Sequence, residues 1–299
     1  MTAKRSERVV RLAPDRLRAY VVSYMGVDVR QVQGGPKLSL PAATATLVLG
    51  WGDPLTVHAG RGEEPGRSAW HGLLSGLHTA PVVSGYSGAA HAVMVDFTPL
   101  GAYRFLGIPL HHLTDVLVDP DELLGSGWST RITGRLAAAE DWAGCWAVLD
   151  DALARRFADG PVPSAVVAHA WKHLRTSNGT ITMRELAQTT GCGNRRLQMI
   201  FREQIGLPAK TAARILRFQR ALTLSTTEGE SFAHTAAQCG YHDQAHLIRD
   251  FRAFASLTPT QLRTLTARVA PDGKPITHGL LTGIITSDGI ESAHPDRCN

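Results

Sequence analysis

One short phrase occurs twice in the second half of the chain and limits its fold more than any other feature. Gly191 is followed by Leu197, Phe201 and Arg202, and Gly240 by Leu247, Phe251 and Arg252. The Leu-x-x-x-Phe-Arg parts stand 50 residues apart and the glycines 49. Leu and Phe four positions apart share one face of a helix. An apolar run at helical steps precedes each copy: Met183, Leu186 and Ala187 before Gly191, and Phe232, Ala233, Ala236 and Ala237 before Gly240. A glycine ends each first helix, because the position after a helix C-terminus favours a positive φ. Helix, turn and second helix, repeated, predict two helix-turn-helix units in succession.

The second helix of each unit divides into two faces. In the first copy Leu197, Ile200 and Phe201 pin it to the body, which leaves Asn194, Arg195, Gln198, Met199 and Arg202 outward beside Arg196. In the second copy Leu247, Ile248 and Phe251 pin it and leave Gln244, Ala245, His246 and Arg249 free, with His242 just ahead and Asp243 placed to cap the helix. Arg and Gln suit bidentate contact with guanine and adenine edges, whereas a merely solvated helix more often carries Glu and Lys. Double-stranded DNA is the partner such faces imply. The first head carries more charge and is expected to dominate affinity, with the second refining it.

Charge is distributed accordingly. The 299-residue chain has a net charge of +5, yet residues 164–263 hold 13 Lys and Arg against 6 Asp and Glu, leaving 18 against 20 for the remainder. A basic module joined to a near-neutral one points to a polyanion partner for the first alone. With 43% apolar and 19% charged residues the chain reads as an ordinary globular protein, and its length suits two domains. No run approaches roughly 18 apolar residues and the charged start is unlike a signal peptide, so a cytoplasmic protein without membrane contact is expected. Cys145, Cys192, Cys239 and Cys298 are scattered, and neither a disulfide framework nor a zinc site is indicated.

The first half has a different rhythm. Short strands are expected at Arg18–Ser23, Ala43–Leu49, Leu55–His58, Val82–Gly85 and Ala90–Phe97, between glycine-rich turns. They suggest a β-barrel or jelly-roll-like half. From Arg135 to Phe157 the pattern becomes helical, with Trp142, Trp146, Leu149, Leu153 and Phe157 on one face. That face either packs on its own barrel or forms a seam between two copies. Asp159-Gly-Pro-Val-Pro-Ser164 ends the helix and marks the domain boundary. Residues 270–299, rich in Gly, Pro, Thr and Asp, are expected to form a flexible tail.

From Thr182 to Arg263 the chain resembles the AraC/XylS family of bacterial transcription regulators. The likeness is carried by Leu186-Ala187, Gly191, Arg195-Arg196-Leu197, Phe201, Gly206, Arg217-Phe-Gln-Arg-Ala221, Ala236, Gly240-Tyr-His-Asp-Gln-Ala-His-Leu247, Arg249, Phe251 and Thr258-Pro259. The resemblance implies two helix-turn-helix subdomains joined by a long helix, about 209–222, which would place both reading heads on one side of a duplex. Matching the family's contact positions are Arg195, Gln198 and Met199, then Gln244, Ala245 and Arg249. Met199 stands where a basic residue is common, Thr235 where an aliphatic one is, and Ser256 where a glycine is. The last two imply looser packing of the second head and a strained turn.

The first half looks like the cupin-like sensor domain of some regulators in this family, through Val93–Leu110 and His111-His-Leu-Thr-Asp115. The expected architecture is therefore α+β. A cupin-like barrel with trailing helices forms a sensor or dimerisation domain at 1–160, and an all-α DNA-binding domain follows at 164–263. The resemblance further implies RNA polymerase as a partner in activation and a small-molecule effector, and the apolar helix face at 135–157 leaves a homodimer open. A cupin-type enzyme or metal protein would need closely spaced histidines with a carboxylate. Here His58, His71 and His78 stand singly, and the rings of adjacent His111 and His112 would diverge. No nucleophile elbow, phosphate loop or dinucleotide fingerprint occurs in context. Neither catalysis nor a cofactor is expected.

Overall fold

The computed structural model describes residues 7–29, 37–59, 69–86, 88–227 and 231–269. The expected tail, 270–299, lies outside the described residues. Among the described residues there are ten strands, nine before the first helix and the last just after it: β1 (Glu7–Leu12), β2 (Val21–Val29), β3 (Lys37–Ser39), β4 (Ala45–Gly50), β5 (Leu55–Ala59), β6 (Ala69–Trp70), β7 (Gly72–Ser75), β8 (Val82–Tyr86), β9 (Ala90–Phe97) and β10 (Leu117–Val118). They form two sheets, ordered β1-β2-β9-β4-β7-β10 and β3-β8-β5-β6. Every pairing is antiparallel, which short turn-linked strands permit.

Alternation along the central strands sorts side chains between two cores. Val93, Val95 and Phe97 of β9, with Leu47 and Leu49 of β4, join the larger core that continues into the helices. Ala92 and Met94, with Val48 and Leu73, face Leu55, Val57, Trp70 and Val82 of the second sheet. The expected barrel is not closed: among the described residues no ladder joins the two sheets, and the result is an open sandwich. β2 also begins later than expected, because Asp15–Tyr20 is spent in turns, with Leu17 N–H donating to Pro14 O and Val21 N–H to Leu17 O.

Helices cover the outer face of the larger sheet: α1 (Pro99–Leu106), α2 (Pro120–Leu124), α3 (Trp128–Ala137) and α4 (Trp142–Asp159). The single helix expected over 135–157 is two. Asp141 has an extended backbone, and its side chain accepts from Gly144 N–H at 2.8 Å, so it caps a fresh helix rather than continuing the old one. The apolar face of α4 lies on its own sheet. Trp146 stacks on Tyr24 with ring centroids 5.8 Å apart, and Trp142 sits so close to Gly26 that a Cβ there would be 2.3 Å from its ring. This face is thus not free to form a seam between copies.

The second half is helical: α5 (Ala165–Thr176), α6 (Met183–Thr190), α7 (Asn194–Ile205), α8 (Ala209–Thr227), α9 (Phe232–Gln238), α10 (Gln244–Ala255) and α11 (Pro259–Val269). Among the described residues no helix is long and apolar enough to cross a membrane.

Candidate nucleic-acid interface

The first unit is α6, a three-residue turn and α7. Thr182 and Glu185 cap α6 reciprocally, each accepting from the other's backbone N–H, and Gly191 ends it at φ 61°. Leu197 and Phe201 anchor α7 in the core, where Phe201 meets Trp171 of α5 at 6.4 Å. On the opposite face Asn194, Arg195, Arg196, Gln198, Met199 and Arg202 are all exposed, Met199 to 65%. Gln198 donates to Asn194 Oδ1 at 3.1 Å, so these two amides hold each other.

The second unit is α9, its turn and α10. Gly240 carries φ 72°. As expected Asp243 caps α10, accepting from His246 N–H at 2.6 Å, and this bond, together with the His242 side chain, holds its carboxyl below the usual range. Leu247 and Phe251 are buried, and Phe251 and Phe254 pack on Phe218 of α8 with centroids 5.1 and 5.4 Å away. His242, Gln244, Ala245 and Arg249 are exposed. His246 is not free as expected: it is half-buried, edge-on to Tyr241 at 5.1 Å. Thr235 does not loosen α9. It is fully buried, and its hydroxyl is satisfied by Ser231 O at 3.3 Å. Ser256, in contrast, adopts the left-handed φ of 57° that a glycine would take without strain.

Two arginines of α8 build the second head without belonging to its reading face. Arg214 binds Asp250, which is almost fully buried, at 2.7 Å and lies over the Phe254 ring. Arg217 lies over Tyr241 at 5.4 Å and reaches Gly240 O at 3.5 Å. Burial and the nearby Asp250 carboxylate push the Tyr241 phenol up. Periodicity gave no sign of the Arg214–Asp250 pair, whose members lie 36 residues apart on different helices.

The first head is also tied to the N-terminal half, through the end of α7. Thr114 donates its hydroxyl to Gly206 O at 2.7 Å and Tyr103 to Glu203 Oε1 at 3.5 Å, while Ser164, at the start of the helical half, donates its N–H to Gln204 Oε1 at 2.8 Å. A helix C-terminus leaves carbonyls without partners, and Thr114 supplies one just beyond that end. No sequence signal marked these three contacts.

Two helices with a left-handed glycine in the turn after each, Gly191 and Gly240, and then a helix with a pinned apolar face and an exposed polar one, define a helix-turn-helix DNA-binding protein. Residues 186–264 match a family described as a helix-turn-helix domain, and residues 11–119 one described as a domain of unknown function. Among solved structures, ToxT from Vibrio cholerae O395 is 10% identical, with 81% of this chain and 97% of that one covered and a TM-score of 0.46. A transcriptional regulator with an AraC-type DNA-binding domain from Chromobacterium violaceum is 20% identical, with 34% and 93% covered and a TM-score of 0.33. A DNA-binding transcriptional dual regulator from Escherichia coli K-12 is 27% identical over 32% and 93%, with a TM-score of 0.28. No curated protein matches. Residues 186–264 are thus a helix-turn-helix domain, which makes the chain a DNA-binding regulator, and it is similar to transcriptional regulators with AraC-type DNA-binding domains.

Proposed function

We propose that α7 and α10 enter two successive major-groove segments of one promoter, and that residues 1–160 sense an effector and modulate this binding by 164–263. The observation that carries the reading is the pair of exposed faces, each fixed from behind by a buried Leu and Phe. Arg195, Arg196 and Gln198, with Asn194, Met199 and Arg202, form the first contact set. Gln244, Ala245 and Arg249, with His242 and the exposed side of His246, form the second. Met199 replaces a charged contact with an apolar one, suited to a thymine methyl. RNA polymerase is the proposed partner in activation, and the cytoplasm the proposed compartment.

Selection of bound sequences from random DNA by the full chain tests the reading. It should return a site with two conserved segments about one helical turn, roughly 34 Å, apart. Arg195→Ala and Gln244→Ala should each cost about 1–3 kcal/mol at that site and relax preference in one segment only. Binding that does not weaken with salt, or a single conserved segment, would overturn it.

A further inference from the structure

A cleft of about 460 Å³ lies where the larger sheet meets the helical half. One wall comes from the sheet and the start of α1, with Val22, Ala43, Asp96 and Pro99. Val22 falls at an irregularity where the register of β2 on β9 shifts, and its side chain is 39% exposed rather than buried in the sheet. The other wall comes from α5 and α8, with Trp171, Arg175, Leu216 and Arg220. The walls differ in chemistry. The helical one carries two guanidinium groups and a Trp171 indole N–H that is buried without a hydrogen-bond partner. The sheet wall carries one carboxyl group, Asp96, 8% exposed and held by the Thr46 and Ser23 hydroxyls at 2.8 and 3.3 Å.

Pockets of this size, apolar in body with a few convergent polar groups, suit small organic ligands. We propose that this cleft binds a small organic oxyanion with an apolar, aromatic-sized body and a hydrogen-bond donor. The oxyanion meets Arg175, Arg220 and the Trp171 N–H, where charge-assisted bonds are strong. The body lies on Val22, Ala43, Pro99 and Leu216, and the donor turns to Asp96. Burial pushes the Asp96 carboxyl up against the pull of the Thr46 and Ser23 hydroxyls.

The proposal deepens the effector-modulated reading and rests on it. It also supplies a route to the DNA-binding surface. α8 forms part of the cleft through Leu216 and Arg220, and the same helix holds the second head through Arg214 and Arg217. A ligand that favours one placement of α8 therefore biases α10, by no more than its difference in affinity for the two placements.

The probe for the test is 8-anilinonaphthalene-1-sulfonate, which has an aromatic body, a sulfonate and an N–H donor. Fluorescence titration of the full chain should show one saturable site. Arg175→Gln and Arg220→Gln should each weaken it by about tenfold, and Ala43→Trp should remove it by filling the cleft. Circular dichroism and thermal unfolding identify any variant that fails to fold. Arg175 is exposed, so Arg175→Gln keeps the test decisive if Arg220→Gln does not fold. 4-Hydroxyphenylacetate should displace the probe and tyramine, which lacks the anion, should not. Equal affinity in Arg175→Gln and Ala43→Trp, or equal displacement by tyramine, would overturn the proposal. Since the titration contains no DNA, its failure is distinct from failure of the DNA-binding reading, which the selection experiment measures alone.

Discussion

Arg214 and Asp250 form the ion pair on which the second head is built, and their burial is unequal. The Asp250 side chain is 2% exposed and that of Arg214 36%, so Arg214→Ala would leave a carboxylate in the core with no counter-charge. Such truncations cost about 3–5 kcal/mol, and the partial exposure of Arg214 puts this one at the lower end. Denaturant midpoints should show the loss. Ser256 offers the opposite case: its left-handed backbone is strained for a side chain, and Ser256→Gly should raise stability by about 0.5–1 kcal/mol in the same assay. The sequence disclosed this position, where a glycine is expected, but not the ion pair. A backbone requirement is local, whereas a partner across 36 residues depends on how α8 and α10 cross. His78 lies 2.6 Å from Ser75 Oγ and 3.8 Å from Asp115 Oδ1, and burial lowers its pKa against the pull of Asp115. As pH falls through about 6.5 the unfolded chain gains a proton that the folded chain does not, so stability drops from there down to the lowered folded pKa. Unfolding midpoints taken from about pH 7.5 to about pH 5 should fall, and His78→Gln should flatten the slope.

Among the elements, those with a periodic apolar face or a named cap were the most legible. The Leu and Phe anchors of α7 and α10, the glycine turns and the Asp243 cap were all readable, since each depends on neighbours within a few positions. The short strands β3, β6, β7 and β10 escaped detection, because two to four residues hold too little alternation to register. The break between α3 and α4 was hidden for another reason. The apolar period from Trp142 to Phe157 runs unbroken, and the break lies just ahead of it, in the extended backbone and capping side chain of Asp141. Asp141→Ala should therefore destabilise the fold by about 1 kcal/mol and increase amide exchange at the first turn of α4, with little effect at its C-terminal end.

Across the whole molecule, the two halves differ in composition yet share one apolar core, which runs from Ala13 through Phe201 to Leu265. The charge division showed two modules, but could not show that they are packed together. That packing depends on the end of α7, where Ile205 and Leu207 are buried and Gly206 accepts from Thr114. Thr114→Val should lower stability by about 1 kcal/mol and raise exchange at the last turn of α7 above that at α10. The shared core also limits how such a protein can be recombined. A graft that joins this helical half to a foreign N-terminal half at Asp159–Ser164 would cut the chain between helices but leave Ile205 and Leu207 facing strange neighbours. To inherit a working seam, the incoming half would have to bring its own counterparts of Leu110, which lies against Gly206, and of Thr114 and Tyr103. Exchange of N-terminal halves between proteins of this build is thus an exchange of matched surfaces, and the linker sequence is the least demanding part of it.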